Sequence, residues 1–326
     1  MELLGPLKFH PQYKEKIWGG DKIRTVLHHD FGSMSNCGEL WAISGIKGSE
    51  SEVAEGPLEG NTLNELLEVF MADLVGEKVY EEFENEFPLL IKFIDATEWL
   101  SIQVHPDDEL AQERDLPRGK TEMWYVLQAD EKAALINGFS KSISKEEYQQ
   151  RLQEKTLQEV LNLVKVKQGD AFYIDAKKVH AIGPGILLTE IQQSADTTYR
   201  IYDWDRVDAQ GNSRDLHVEL ALDSINFEAE KTNSISYKKP HNQSSTIVDQ
   251  QYFSVQILEF DHAIAKDYQD LDSFVIYIVT QGSFILESEQ GNMDLGIGDV
   301  VLLPAITKKV ELHPLPASTL LEVYIK

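Results

Sequence analysis

The chain has 326 residues, 42% hydrophobic and 26% charged, which is the balance of an ordinary globular protein with room for one large domain or two smaller ones. A formal charge of -25 repels nucleic acid and anionic lipid, so no nucleic acid and no membrane are expected as partners. The single Cys37 excludes an internal disulfide framework, and no run approaches the roughly 18 apolar residues of a membrane span.

The opening MELLGPLKFHPQYKEK lacks an uninterrupted apolar core of signal-peptide length, so a cytoplasmic location is expected. Residues 1–60 mix short strand-like pieces with turns, among them EKIWGG and GELWAIS. After the cap-like Asn61-Thr62, the positions Leu63, Leu66, Leu67, Phe70, Met71, Leu74 and Val75 recur at helical spacing and predict an amphipathic helix within 61–85. Pro88 to Val104 reads as strand, followed by the short β-type runs MWYVL, ALIN, AFYI and ILLTEI. Capping patterns at Ser144/Glu147 and Thr156/Glu159 predict two short helices within 145–164, and a third is expected near 215–224. A polar connection over 225–250 leads to a second set of strands, YFSVQILEF, SFVIYIVTQGSFILES, DVVLLP and STLLEVYI. The predicted class is mainly β with a small α-helical addition, the short strands and turns suggesting sandwiches or barrels.

A weak internal repeat divides the chain. Gly169-Asp170 leads into AFYID and, eleven positions after the glycine, His180; Gly298-Asp299 leads into VVLLP in the same way. Each turn is preceded by an aromatic strand, MWYVL or FVIYIV. Two such units predict two barrels, one over 1–225 and one over 226–326, and the pattern resembles the paired motifs of the cupin superfamily, whose barrels are double-stranded β-helices or jelly rolls.

Metal chemistry is read from side-chain placement. In SIQVHPDD, Gln103 and His105 are two apart and project from one face of a strand. Glu122 opens the strand MWYVL, and His180 follows the glycine turn. Together Gln103, His105, Glu122 and His180 offer two imidazoles, one carboxylate and one amide oxygen, a set that suits zinc and also admits manganese, cobalt or iron. The second repeat has Val275 and Lys309 where Glu122 and His180 would lie, so a single site, in the first barrel, is expected.

The blocks FPLLIKFIDATEWLSIQVHPDD, GKTEMWYVL and GDAFYIDAKKVHAIGPGILLTEIQQSADTTYRIYDWDR, with EKIWGG and GELWAIS, resemble those of type I mannose-6-phosphate isomerases, in a compact bacterial form. The resemblance covers most of the chain. It implies that Gln103, His105, Glu122 and His180 hold zinc, that Lys92 and Ser101 bind substrate phosphate, and that Lys120, Glu190, Asp196 and Arg200 occupy active-site positions. A lysine inside the apolar run PLLIKFI needs a buried partner, and a phosphate would be one.

The implied reaction interconverts mannose 6-phosphate and fructose 6-phosphate through a cis-enediolate. Arg200 and Lys120 are candidates for stabilising charge or handling protons; the base is open among Glu190, Lys120 and a metal-bound hydroxide. Asp196 is expected on the substrate side. The other expected partner is at most a second copy, as a monomer or weak homodimer. The alternatives are another cupin enzyme acting on a different sugar phosphate, and a sugar-binding cupin without activity. Lys92 and Ser101 argue against an oxygenase, and the set Lys120, Glu122 and Arg200 argues against a pure binder.

Overall fold

The computed structural model describes residues 4–207, 210–229 and 234–326; part of the expected polar connection, 230–233, lies outside the described residues. The fold is mainly β, as the sequence predicts, and forms two β-barrel lobes. The first is built from a six-stranded and a five-stranded sheet. The six-stranded sheet runs, in spatial order, Gln12–Lys14, Glu39–Ile43, Leu89–Ala96, Ile186–Gln193, Glu122–Ala129 and Ala171–Ile174. The five-stranded sheet runs Tyr199–Tyr202, Ile102–Val104, His180–Ile182, Ala134–Phe139 and Leu161–Lys165. All the pairings within these two sheets are antiparallel.

The four central strands of the six-stranded sheet are buried along nearly all of their length because both of its faces are covered. Along Glu122–Ala129, Trp124 and Val126 join Ile94, Leu188, Phe172 and Leu135 in one core, whereas Met123, Tyr125 and Leu127 join Ile91, Phe93 and Ile191 in another. This period of two follows from the pleat, which sends successive side chains to opposite faces. The second core extends to Val255, Ile257, Ile276, Ile278, Leu321 and Val323 of the C-terminal lobe. One contiguous apolar layer therefore joins the lobes, and the even-numbered residues Lys92, Glu122, Trp124 and Glu190 share the phase that faces the first barrel's interior.

The second lobe is a single rolled sheet around its own core of Leu258, Phe260, Tyr277, Phe284 and Leu320. Its two long strands, Val275–Ser288 and Lys309–Tyr324, pair along most of their length, with register shifts at Val279/Gln281 and Gly282/Phe284. Gly282 sits at φ 74°, where a Cβ would lie 2.1 Å from the Ala317 carbonyl oxygen, so only glycine lets the backbones approach at this bend. The strand Leu7–Lys8 closes one edge of this sheet against Val300–Leu303, so the start of the chain packs into the C-terminal lobe.

Helical elements are few, and two differ from expectation. Thr62 and Glu65 form a reciprocal capping box for Leu63–Phe70, but the predicted continuous helix breaks at Met71, which adopts φ 47°. Ala72–Val75 and Glu77–Phe83 continue as separate short helices around Gly76. Apolar periodicity reports the buried stripe and is blind to this break, because Leu74 and Val75 reach the same core from a redirected segment. Ser144 caps Lys145–Gln153 as read, accepting from Glu147 N. Thr156 makes no side-chain cap, and the second helix reduces to one 3-10 turn, Leu157–Val160, before the strand Leu161–Lys165. The third helix is Val218–Asp223.

Candidate active site

Three buried ligand-type side chains converge inside the first barrel. His105, Glu122 and His180 offer one ligand atom each, all within 4.8 Å of one another. His180 lies on the five-stranded sheet directly opposite Gln103, and His105 follows the same strand as Gln103. Glu122 starts its strand on the facing sheet, so the cluster is assembled across the barrel.

Backbone carbonyls set both imidazole tautomers. His105 Nδ1 donates to Thr197 O at 2.9 Å and His180 Nδ1 donates to Lys178 O at 2.8 Å, which leaves both Nε2 lone pairs facing inward. Burial lowers the pKa of each ring: His105 falls well below the usual value, helped by Lys120, and His180 falls to about 4. Both rings are therefore neutral at physiological pH, the form that binds a metal.

Glu122 has no exposed surface, and neither of its oxygens accepts a well-directed hydrogen bond. Its Oε1 lies 3.4 Å from His180 Nε2, and its Oε2 lies 3.5 Å from His105 Nε2 and 2.9 Å from the Lys120 ammonium. Burial, reinforced by Glu190, raises its pKa. Two inward lone pairs beside an under-satisfied buried carboxylate fit a divalent cation, which would supply the missing positive charge. Gln103 reaches the same place, with its amide nitrogen 3.3 Å from His180 Nε2 and Ser101 Oγ donating to its Oε1 at 3.2 Å. Exchanging amide oxygen and nitrogen, an assignment fixed by partners alone, would turn the oxygen toward the cluster as a fourth ligand.

A cavity of about 270 Å³ adjoins the cluster through Gln103 and Lys120, which line it and reach His180 and Glu122. Lys92, Ser101, Gln103, Lys120, Glu190, Asp196 and Arg200 all line it, so the structure brings these sequence-identified residues to one place. Sequence reasoning missed Lys16, Trp18, Glu39, Thr198 and Arg214, which line the same cavity. The signal for three of them lay in EKIWGG and GELWAIS, quoted as blocks but given no role.

The lining carries five cations, Lys16, Lys92, Lys120, Arg200 and Arg214, against three carboxylates, Glu39, Glu190 and Asp196. A local excess of positive charge thus persists inside a strongly acidic chain. Most of these cations are paired. Lys16 lies 3.1 Å from Glu39, Lys92 lies 3.2 Å from Glu190, and Arg214 forks onto Asp203. The partner that Lys92 needed is accordingly a carboxylate on the adjacent strand, with the Trp41 ring 5.0 Å from its ammonium. Trp124 Nε1 donates to Glu190 Oε2 at 3.0 Å. Burial opposes the charge on Glu190, but Lys92 and Lys120 outweigh it and hold the carboxyl well below its usual pKa. Likewise burial opposes charge on Lys120, yet Glu122 and Glu190 raise its pKa and keep it protonated. Arg200 donates to Asp215 O at 2.9 Å, while its buried Nε has no partner.

Residues 7–136 match the model of the phosphomannose isomerase type I catalytic domain. A mannose-6-phosphate isomerase of Streptococcus mutans is 36% identical over 93% of both chains. Mannose-6-phosphate isomerase ManA of Bacillus subtilis is 35% identical over 92% of this chain and 93% of its own. The crystal structure of the mannose 6-phosphate isomerase from Bacillus subtilis superposes with a TM-score of 0.89 at 33% identity, covering 98% of this chain and all of the other. A zinc-bound mannose 6-phosphate isomerase shares the fold at a TM-score of 0.78 and 16% identity. With a converging His–Glu–His cluster beside a cationic cavity, and with relatives of this identity along nearly its whole length, the chain belongs to the type I mannose-6-phosphate isomerase family.

Proposed function

We propose that this chain is a zinc-dependent mannose-6-phosphate isomerase, converting the aldose phosphate to fructose 6-phosphate and back. The observation that carries this reading is the buried His105–Glu122–His180 cluster, joined through Gln103 and Lys120 to a cavity that Lys92 and Arg200 also line. His105, Glu122 and His180, with Gln103 as the fourth donor, would hold the metal. When bound, the ion supplies Lewis-acid polarisation of sugar oxygens.

The residues around it divide the remaining work. Lys120, kept protonated by Glu122 and Glu190, places a cation over the cluster where enediolate charge would develop. Arg200 adds a second cation on the opposite sheet. The low pKa of Glu190 argues against the base role weighed from sequence, because a proton acceptor works best near the operating pH. Its pairing with Lys92 supports a counter-ion role that fixes the lysine's direction. Ser101, Lys92 and Asp196 line the cavity, where they would contact the phosphate and hydroxyl groups of the substrate. No helix among the described residues is long and apolar enough to cross a membrane, in keeping with a proposed cytoplasmic location.

The test is isomerisation of mannose 6-phosphate followed with and without chelator, with zinc added back. Turnover lost to chelator and restored by zinc is the expected result. A folded, zinc-loaded protein with no turnover would overturn the reading and shift it to another sugar phosphate or to binding alone.

A further inference from the structure

Among the described residues, all those lining the cavity belong to the first 214 positions, and none comes from the C-terminal lobe. It does reach the segment that carries two of the site's side chains. Tyr252 sits in the hairpin between the C-terminal strands Ser245–Asp249 and Ser254–Phe260. Its hydroxyl donates to Asp108 Oδ2 at 2.7 Å. The other oxygen of Asp108 accepts from Gly119 N at 2.8 Å and from Gln193 Nε2 at 3.1 Å. Gln193 in turn accepts, through its Oε1, from Thr121 N at 2.8 Å.

Gly119 and Thr121 flank Lys120, and Glu122 follows. The segment has little other choice of path: a Cβ on Gly119 would stand 2.6 Å from the backbone of Asp107 and Asp108. Lys120 N donates to Pro106 O at 3.0 Å, so three successive amides are held at fixed points, two of them through Asp108 and Gln193. Lys120 has to place its ammonium between Glu122 Oε2 and His105 Nε2, 2.9 and 3.2 Å away. Both distances depend on where this short segment lies.

We propose that Tyr252 is a positioning residue of the active site, through which the C-terminal lobe holds Asp108 and thereby aims Lys120 and Glu122. The inference rests on the isomerase reading for its kinetic test. Tyr252 touches neither cavity nor cluster; it acts through Asp108 and Gln193 alone. A phenyl ring preserves its packing against the interlobe core, so Tyr252→Phe removes only the hydroxyl.

In the zinc-loaded full chain, Y252F is expected to lower kcat on the order of ten-fold, since small displacements of catalytic groups have such effects. KM should stay within about two-fold, and the unfolding midpoint should barely move. With zinc kept saturating, the same substitution in a K120A background should change residual turnover less than it does in the wild-type background, because one of the two aimed groups is absent. Wild-type kcat in Y252F, or an equal loss in both backgrounds, would overturn the proposal. A wild-type protein inactive on mannose 6-phosphate would sink the isomerase reading instead. The positioning role would then be read from zinc release to a chromogenic chelator, expected faster in Y252F because Glu122 is loosened; an unchanged release rate would overturn it.

Discussion

Lys92 and Glu190 are register partners on adjacent strands of the first barrel, and their charged groups lie 3.2 Å apart with almost no solvent exposure. Neither charge could persist there alone, because burying an unpaired ion costs several kcal/mol. The expected consequence of Glu190→Gln is a loss of about 3 kcal/mol of folding stability, measured by urea unfolding of zinc-free protein. Gln keeps an acceptor for Trp124 Nε1, so the loss reports the charge rather than the hydrogen bond. Turnover should fall as well, since Lys92 loses the partner that orients it over the cavity.

His105→Ala removes one of three convergent ligand atoms and leaves Glu122 and His180 in place. Zinc binding should weaken until the purified variant holds far less than one ion per chain, by elemental analysis. Ligand binding stabilises the native state by about 2.7 kcal/mol at a hundred-fold excess over Kd. Wild-type protein should therefore melt higher on zinc addition, whereas H105A should not respond. A variant that is unfolded without zinc and equally unfolded with it would mean that His105 is chiefly a core residue.

Arg200 has no carboxylate in ion-pair contact among the described residues, unlike Lys16, Lys92, Lys120 and Arg214 around it. Burial and the nearby Arg214 lower its pKa, against the opposing pull of Asp203 and Asp215. Arg200→Ala should cost on the order of a hundred-fold in kcat/KM with zinc content intact, the scale of losing one aimed charge donor. Arg200→Lys should recover only part of this, since the forked geometry is lost.

The residues that the structure brings together here could be picked out of the chain because they sit in local patterns. Gln103 and His105 are two apart, Glu122 opens an aromatic strand, and His180 follows a glycine turn at φ 85° at Gly169. What the sequence hid depends on register between distant strands. That Glu190 faces Lys92 and Trp124 is fixed by two ladder alignments, which no local spacing encodes. Lys16, Glu39 and Arg214 likewise reach the cavity from three separate segments, each looking like a solvated surface charge in isolation. The break at Met71 is hidden for the converse reason, that apolar spacing survives a change of helix direction.

Asp95 offers a pH-dependent test away from the site. It is fully buried, its Oδ2 accepts from Lys22 N at 2.6 Å, and its Oδ1 has no partner. Burial pushes its pKa up to about 6, from 3.8. A carboxyl whose folded pKa lies above its unfolded value supports the fold below pH 3.8, and that support is lost as pH rises through 6. Asp95→Asn should thus be more stable than wild type at pH 8, by roughly 1–3 kcal/mol, with the gap closing toward pH 4. Urea unfolding at the two pH values measures this, and a gap that widens on acidification would reverse the sign.

The second barrel also carries a lysine–glutamate pair, formed by a buried Glu322 and a half-buried Lys266. Tyr277 and Glu322 are register partners there, as Trp124 and Glu190 are in the first barrel, and Lys266 lies 2.6 Å from Glu322 as Lys92 lies beside Glu190. Tyr268 adds a hydrogen bond to Glu322 Oε1 at 2.9 Å. Two residues before Tyr277, where the first barrel has Glu122, stands the buried Val275. The His105–Glu122–His180 group of the first barrel has no counterpart among the described residues of this lobe. Buried pairs of this kind can be replaced by well-packed apolar residues at little cost, whereas removing one partner is expensive. Glu322→Leu alone should therefore destabilise by about 3 kcal/mol, while Lys266→Met with Glu322→Leu should lie within about 2 kcal/mol of wild type. Both variants should keep zinc content and kcat, in contrast to Glu190→Gln. Loss of turnover in the double variant, with the fold intact, would show that the second pair matters to the chemistry after all.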